Sequence, residues 1–579
     1  MRWLLQSSDP MATAAFAAQL GELPEFRPNP SASGVIAQLL LARGVATVEQ
    51  AARFLNPSID QMPSPYDMLG MAAAVSRLEV AIERKEDILI YGDYDADGTT
   101  AIVILKTAIE LLGGTASFHV PHRIRDGYGM KDDVIEQAAA SGVKLIISVD
   151  TGIRAFAAAE TARRLGLDLI VTDHHLPGSE GVPQAYAVLN PNQVGCAYPT
   201  KALCGAGVAF KVVQALLEKA GRDRLLPSFL KIAAIGTIAD IVPLTGENRI
   251  FAKLGLDGLR QPVNPGLKAL FDVAKLNGKR PVSASDIGFR IGPRINAAGR
   301  MDVARSVIDL FSTKDAAQAR EIAARLDQLN YERQEAERKV LDAIVQRLED
   351  EPALRATWCT VVEGEGWHRG VVGIAASRVV ERYGRPALVI SVEDGEAHGS
   401  GRSIPGFHLL NAIEDCADLF TRYGGHSHAC GFSLPASRIA ELRERLDVHA
   451  RARLTEADFE PGLNIHAELP LHEVTDELFH VLRRLEPFGM GNPEPVFVAR
   501  GVKLAAPPRL IQDKHMSLKL SSPAHNSRSY KAMAWRSAEH FVDAQLLAGD
   551  TIDIAYTLTH NEHPDFGGLE LSLKDFRKA

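Results

Sequence analysis

The chain predicts a multidomain α/β protein: a parallel-sheet metal domain, a long linking helix, a second α/β domain and a C-terminal all-β domain. Three observations carry this. Its 579 residues exceed what one core can organise, so several domains, each burying its own core, are expected. Between residues 81 and 261 short apolar runs alternate with helical patterns, as a parallel sheet requires. From residue 462 the pattern changes to short alternating strands, such as Thr551 to Tyr556 and Leu569 to Leu573, which suggest a barrel.

Residues 1–80 read as helical, with the run Gly34 to Arg43 and a Pro-rich turn from Pro57 to Pro65, and are expected to cap the next domain. That domain opens with a strand, Asp87 to Tyr91, and a helix, Thr100 to Leu112, stopped by Gly113 and Gly114. Helices Lys131 to Ala140 and Arg154 to Leu165 then separate the strands Lys144 to Val149 and Leu167 to Thr172, and another helical run starts at Phe229. In the connector, residues 262–350, Ile322, Leu326, Leu329, Val340, Ile344 and Leu348 recur at helical spacing without Pro or Gly. They predict one long amphipathic helix from Thr313 to Asp350, too short and irregular for sustained heptads. Residues 351–461 repeat the α/β pattern with a strand at Trp358 to Val362, a helix at Gly370 to Tyr383 and a strand at Pro386 to Val392. The turns Gly399 to Arg402 and Gly424 to His426 lack the spacing of a dinucleotide fingerprint but let backbone amides approach a phosphate.

The strand ends carry the chemistry. Asp93, Asp95 and Asp97 follow the first strand at alternate positions, Asp150 follows the second, and Asp173, His174 and His175 follow the third; Asp240 closes a later helical run. In parallel sheets the crevice beyond the carboxyl ends of the strands is the ligand site. Asp93-x-Asp95-x-Asp97-Gly98 also begins like a calcium loop, but Ile104 stands where the twelfth-position Glu belongs and the entry is a strand. A solvated acidic turn does not explain the later acids. Carboxylates at contact distance repel one another unless cations neutralise them, and two divalent ions would do so. Oxygen ligands with imidazole suit Mn²⁺ or Mg²⁺ better than zinc, with Mn²⁺ the first choice.

Composition excludes several classes. Hydrophobic residues at 46% and charged residues at 23% are ordinary for a soluble protein, no run is long enough for a membrane span, and the start is too polar for a signal peptide, so a cytoplasmic protein is expected. Five scattered cysteines form no Cys-x-x-Cys pair, which favours reduced thiols. The net charge of −8 argues against nonspecific coating of DNA. One local basic stretch stands out: Lys503, Arg509, Lys514, Lys519, Arg528, Lys531 and Arg536 against the single acid Asp513, with His515, Tyr530 and Trp535 interleaved. Such a stretch suits phosphate contact with base stacking, or equally a soluble strand face with core aromatics.

The set Asp-Tyr-Asp-Ala-Asp-Gly, Val-Asp-Thr-Gly, Asp-His-His and Ala-Asp resembles the four motifs of the DHH phosphoesterase superfamily, and Tyr91 to Gly98 resembles its RecJ family of single-strand-specific exonucleases. Pro121 to Gly129, Ile291 to Arg300, Gly399 to Ile404, Gly424 to Gly431 and Glu486 to Pro495 extend the resemblance almost end to end, with a departure at His122, where the family more often has Asn. The resemblance implies a DHH metal domain over 81–261, a DHHA1 substrate-binding domain over 351–461 and an OB-fold over 462–579. It implies one ion on Asp93 or Asp95 with Asp150, the other on Asp97, His174 and Asp240, with Asp150 bridging. Adjacent residues at a strand end point oppositely, so His175, oriented by Asp173, is expected on the scissile phosphate or leaving group instead of the metal. Asp95, Asp97, Asp150, His174 and His175 form the expected catalytic set. Arg123, Ser400 and Arg402 look like the family's pocket for a 5′-phosphate, and Arg294, Asn296, Arg300 and His426 like further strand contacts.

The implied activity is metal-dependent 5′→3′ hydrolysis of single-stranded DNA to 5′-mononucleotides in repair and recombination. The implied partners are 5′-phosphorylated single strands, single-strand-binding protein and a RecQ-type helicase, with the enzyme a monomer. A small-substrate DHH phosphoesterase and a replication scaffold that has lost its metals are the alternatives. The former generally lacks the barrel pattern, and the retained acids speak against the latter.

Overall fold

In the computed structural model of the chain, the described residues are all but 24–25, 27–31, 124, 128, 277–279, 302–303, 523–524, 562–566 and 579, and the side chains of 525–528 and 538–540 also fall outside the description. Ile124 and Tyr128 of the Pro121 to Gly129 segment, and the Arg528 side chain, therefore lie outside it. The chain divides into two compact units, one comprising residues 63–242 and 250–461, the other 1–62, 243–249 and 462–579. Among the described residues no helix is long and apolar enough to cross a membrane.

The larger unit is built on two sheets. In the first, β1 (Asp87–Gly92), β2 (Thr115–His119), β3 (Leu145–Val149), β4 (Asp168–Thr172) and β5 (Ala187–Leu189) are all parallel, in the order β2-β1-β3-β4-β5. Ile88, Ile90, Ile146, Ile147, Leu169 and Ile170 are buried, as near-continuous aliphatic runs covered on both faces should be. The chain leaves β1 toward β2 on one side and reaches β3 on the other, so the sheet reverses direction beside β1. Register does the rest. Gly92 pairs with Val149 and Val149 with Thr172, so the residues that follow, Asp93, Asp150 and Asp173, emerge together at the switch point.

Helices α1 (Ala96–Leu111), α2 (Asp132–Ala140) and α3 (Phe156–Arg164) connect the strands, and α4 (Gly205–Lys219) and α5 (Leu226–Ala239) pack on α1. After α6 (Gly292–Met301) comes the long helix α7 (Ala316–Asp350), 35 residues and about 52 Å. Its first half buries Ala319, Ala323, Leu326 and Leu329, and its second half packs Val340, Ile344 and Leu348 against Val372, Ala376 and Val379. The helix thus joins the two α/β layers of one unit.

The second sheet contains β6 (Thr360–Glu365), β7 (Ala387–Glu393), β8 (Glu396–Arg402), β9 (Arg422–Gly425) and β10 (Ala429–Pro435), ordered β9-β10-β8-β7-β6, with helix α8 (Val372–Tyr383) against it. Only β6 and β7 pair in parallel. Along β8 the alternation of a strand explains the Gly-Ser-Gly-Arg run. A Cβ on Gly399 would meet the Phe432 ring at 2.1 Å and one on Gly401 the Cys430 sulfur at 2.8 Å, so the glycines take the crowded face while Ser400 and Arg402 share the other.

The smaller unit corrects the expected N-terminal cap. Phe16, Leu20, Leu39 and Leu40 are buried in one core with Leu478, Phe497, Leu520 and Tyr556, and Arg2–Leu5 pairs in parallel with Gly462–Ile465. The apolar face of the first helices is therefore spent on the C-terminal domain, and only residues 63–80 of the proposed cap, including most of helix Met71–Glu83, belong to the catalytic unit. The C-terminal strands form a seven-stranded sheet that closes where Phe497–Leu504 pairs with His515–Ser522 as well as with Thr551–Asn561. Arg249 ties the 243–249 segment into this unit by donating to the carbonyls of Phe54, Arg484, Leu485 and Glu486 at 2.8–3.1 Å.

Candidate active site

Asp95 is the N-cap of α1. Its Oδ1 accepts the N–H groups of Asp97 at 2.9 Å and Gly98 at 3.0 Å, which turns the chain sharply from strand into helix. Asp97 consequently sits in the first helical turn, buried, and its two carboxylate oxygens accept the Gly205 N–H at 2.5 Å and the Ala206 N–H at 2.8 Å from the start of α4. Asp150 lies just past β3 with φ of +58° and donates its N–H to the Thr172 carbonyl at 3.1 Å. Asp240 caps the C-terminus of α5.

These groups converge. His174 Nε2 is 3.1 Å from Asp150 Oδ1, 3.8 Å from Asp97 Oδ2 and 3.8 Å from Asp240 Oδ2. Ligand atoms of Asp93, Asp95 and Asp150 lie within 4.8 Å of one another, as do those of Asp97, His174 and Asp240, and those of Asp150, His174 and His175. Burial first, and then mutual repulsion among the acids, holds the Asp93 and Asp150 carboxyls well above the usual range; Asp240 is raised by burial and by Asp97 and Asp95. The buried Asp93 Oδ1 has no hydrogen-bond partner among the described residues. A pocket of carboxylates that repel when ionised, with an acceptor oxygen left over and one imidazole, fits hard divalent cations. Three oxygen ligands on one side and a mixed oxygen and nitrogen set on the other suit Mn²⁺ or Mg²⁺.

The histidines depart from the expected opposition. Strand β4 ends at Thr172, so its alternation no longer governs residues 174 and 175, and their rings lie 4.4 Å apart on the same side of the site. Asp173 does orient His175: its Oδ1 is 2.7 Å from His175 Nδ1 and also accepts the backbone N–H of both His174 and His175. Burial opposes the charge on this pair, but the hydrogen bonds to His175 and Ile153 bring Asp173 below its ordinary value, and the bond to Asp173 raises His175.

A second, cationic cluster is formed by Arg123, Arg300 and Arg402. Burial, followed by repulsion from Arg123, Arg333 and Arg402, pulls the Arg300 guanidinium down to about 9, and burial with repulsion from Arg123 also lowers Arg402. Arg402 donates to Ser400 Oγ at 3.0 Å and the Gly401 carbonyl at 2.7 Å, Arg300 to the Gly370 carbonyl at 3.0 Å, and Arg123 stands 4.8 Å from the Tyr94 ring centroid. Among the described residues none of the three makes a carboxylate ion pair. Gly373 leaves space beside them, since a Cβ there would lie 3.0 Å from Ser400 Oγ and 3.1 Å from Arg402 Nη2. His426 is exposed; partial burial first, and then His428, Arg402 and His175, lower its pKa.

Two residues expected as strand contacts also make structural bonds. Arg294 donates to Asp327 at 2.8 Å and to the Arg290 carbonyl at 2.7 Å, tying α6 to α7. Asn296 Oδ1 accepts the Ala96 N–H at 2.7 Å and so fixes the start of α1. Both guard the geometry of the metal loop and bridging helix. In the basic stretch Tyr530 is buried with its hydroxyl on the Val474 carbonyl, hence core, whereas Trp535 is exposed with His515 packed at 5.0 Å. Sequence reasoning missed Gly205 and Ala206. The signal available was Cys204-Gly-Ala-Gly207, a run of small residues opening a helix with Cys204 Sγ accepting the Gly207 N–H.

Three family models match in chain order: the DHH family N-terminal domain over residues 87–237, the DHHA1 domain over 354–451 and the RecJ OB domain over 465–575. The single-stranded-DNA-specific exonuclease RecJ of Bacillus subtilis is 37% identical over 580 residues, covering 99% of this chain and 70% of that protein. The Escherichia coli exonuclease of the same name is 36% identical, covering 84% and 86%. The chain belongs to the RecJ family. A crystal structure of RecJ from Thermus thermophilus in complex with Mn²⁺ matches it with a TM-score of 0.83 at 28% identity, over 100% of this chain and 80% of the other. The RecJ complex with Mg²⁺ from the same organism matches with a TM-score of 0.77 at 28% identity, over 100% of this chain and 78% of the other.

Proposed function

We propose that this chain is a metal-dependent 5′→3′ exonuclease that hydrolyses single-stranded DNA to 5′-mononucleotides in repair and recombination. One observation carries the reading: a buried carboxylate cluster and a guanidinium cluster without carboxylate partners among the described residues belong to one compact unit. Relatives named single-stranded-DNA-specific exonuclease support it.

In this reading Asp93, Asp95 and Asp150 hold one ion, and Asp97, Asp240 and His174 the other, with Asp150 shared. Two bound Mn²⁺ or Mg²⁺ ions supply an activated water and charge neutralisation on the attacked phosphate. The chain's own residues do the remainder. The α4 amide groups hold Asp97 in one orientation, and the Asp150 turn presents its carboxylate to both sets of ligands. His175, held by Asp173, donates to the scissile phosphate or the leaving oxygen. Arg123, Ser400 and Arg402 anchor the terminal 5′-phosphate, with Arg300 and His426 beside them, so that the neighbouring bond meets the metals.

The C-terminal barrel supplies strand affinity through Lys503, Arg509, Lys519 and the exposed Trp535. Single-strand-binding protein and a RecQ-type helicase are the proposed partners, in the cytoplasm, for a monomeric enzyme. Single-stranded and duplex oligonucleotides labelled at either end, incubated with Mn²⁺ or Mg²⁺, test the reading. The 5′ label should appear at once as mononucleotide and the 3′ label as a shrinking ladder, on single strands only; release of the 3′ label first, or equal attack on blunt duplex, would contradict it.

A further inference from the structure

Ile241 directly follows the metal-site carboxylate of Asp240 and has φ of +58°. Nine non-glycine residues are described with positive φ, and Ile241 is the β-branched one among them. Helix α5 ends at Ala239 and Asp240 keeps helical dihedrals, so Ile241 occupies the position past a helix end that glycine normally fills. A β-branched side chain there crowds its own carbonyl.

Packing does not repay the strain. Ile241 is 69% exposed, and its N–H makes a 3.3 Å bond to the Ile238 carbonyl that glycine would make equally well. Backbone strain persists where a neighbouring function uses it. Asp240 Oδ2 lies 3.8 Å from His174 Nε2, inside the carboxylate cluster, so an exposed aliphatic residue directly follows one of the clustered carboxylates in the chain. A nucleotide brings two kinds of surface there. Its phosphate oxygens suit the cations, and the C–H faces of its sugar and base suit an aliphatic contact.

We propose that Ile241 is a substrate-positioning residue whose side chain packs on the apolar face of the nucleotide at the metal centre. The inference rests on the exonuclease reading. It accounts for a residue that is costly to the turn and idle in the core.

The test compares the full-length wild type with Ile241→Gly and Ile241→Val on a single-stranded oligothymidylate, with Mn²⁺ binding followed by calorimetry. Ile241→Gly should keep or raise the thermal midpoint, leave Mn²⁺ affinity in place and raise KM about tenfold, with the loss in KM and not in kcat. Ile241→Val, still branched and apolar, should stay within about threefold of wild type. A fall in the midpoint of the Gly variant would assign Ile241 to the fold, a loss of Mn²⁺ affinity would assign it to holding Asp240, and an unchanged KM would leave it without a substrate role. Each overturns the proposal. A wild type inactive on the strand would overturn the exonuclease reading and this inference with it, and is told apart from them because the other three outcomes appear in an active enzyme.

Discussion

Gly205 and Asp150 stand so close that a Cβ on Gly205 would lie 2.5 Å from the Asp150 Cβ and 2.8 Å from its Oδ1. The same glycine gives its N–H to Asp97, so one residue without a side chain fixes two carboxylates of the candidate site. Gly205→Ala must therefore push Asp150 or the start of α4 aside. We expect a folded protein by circular dichroism, with Mn²⁺ affinity reduced at least tenfold and turnover reduced about 100-fold, the scale of a 1 Å misplacement. Wild-type Mn²⁺ affinity in this variant would show that the contact relaxes harmlessly.

The acids also predict a pH signature without metal. Asp93, Asp150 and Asp240 titrate above the ordinary aspartate value of 3.8, so between that value and their raised values the folded state holds more protons than the unfolded one. Their contribution is stabilising at low pH and is lost as pH rises through that window. Mn²⁺ should reverse the loss by binding only the folded protein, adding about 2.7 kcal/mol at 100 times its Kd. Thermal melts from pH 4 to 8 in chelator and in Mn²⁺ check this; a metal-free protein whose stability climbs throughout that range would show that other groups dominate.

Arg402→Ala, and to a lesser degree Arg123→Ala, should slow cleavage of 5′-phosphorylated strands about 10- to 100-fold more than cleavage of 5′-hydroxyl strands, because a guanidinium lost from a buried phosphate site removes a charge-assisted bond. Steady-state rates on the two substrates give the comparison. Equal losses on both would make the arginines general strand contacts or interdomain ties.

Lys519 lies across neighbouring strands from Lys531, whose ammonium pairs with Glu570 Oε1 at 2.6 Å, so Lys519 is the cation to replace. Lys519→Glu and Trp535→Ala should weaken binding of long single strands, each by about 1–3 kcal/mol, and the lysine change should flatten the salt dependence. Fluorescence anisotropy at several salt concentrations measures both. Point variants are the right instrument here, since truncation at Gly462 would strip the core from Phe16, Leu20 and Leu39.

The convergence of the candidate site was legible in the sequence because most of its acidic and histidine residues follow strand ends, and parallel register brings strand ends together. Asp93, Asp150 and Asp173 needed only the pairing of Gly92 with Val149 and of Val149 with Thr172. The long helix was equally plain, since it has no Pro or Gly and a steady apolar stripe. What stayed hidden depends on who packs on whom. The N-terminal helices show an apolar face but not its partner, which proved to be the C-terminal core. Arginine is the same letter whether it faces Asp327, as Arg294 does, or makes no carboxylate ion pair among the described residues, as Arg402 does. His174 and His175 misled for a local reason: the alternation rule was applied two residues beyond the end of its strand.

In the proposed reading Asp150 is shared by both sets of ligands, so its replacement tests the central claim most directly. Calorimetric titration of Mn²⁺ into wild type and Asp150→Ala, followed by hydrolysis of a single-stranded oligonucleotide by the same samples, gives the answer in one experiment. The account predicts two ions per wild-type chain, the loss of at least one in a still-folded Asp150→Ala, and hydrolysis reduced by several kcal/mol of transition-state stabilisation, about 10³-fold or more. Two ions bound by Asp150→Ala with wild-type affinity, or near-wild-type turnover in saturating Mn²⁺, would contradict it.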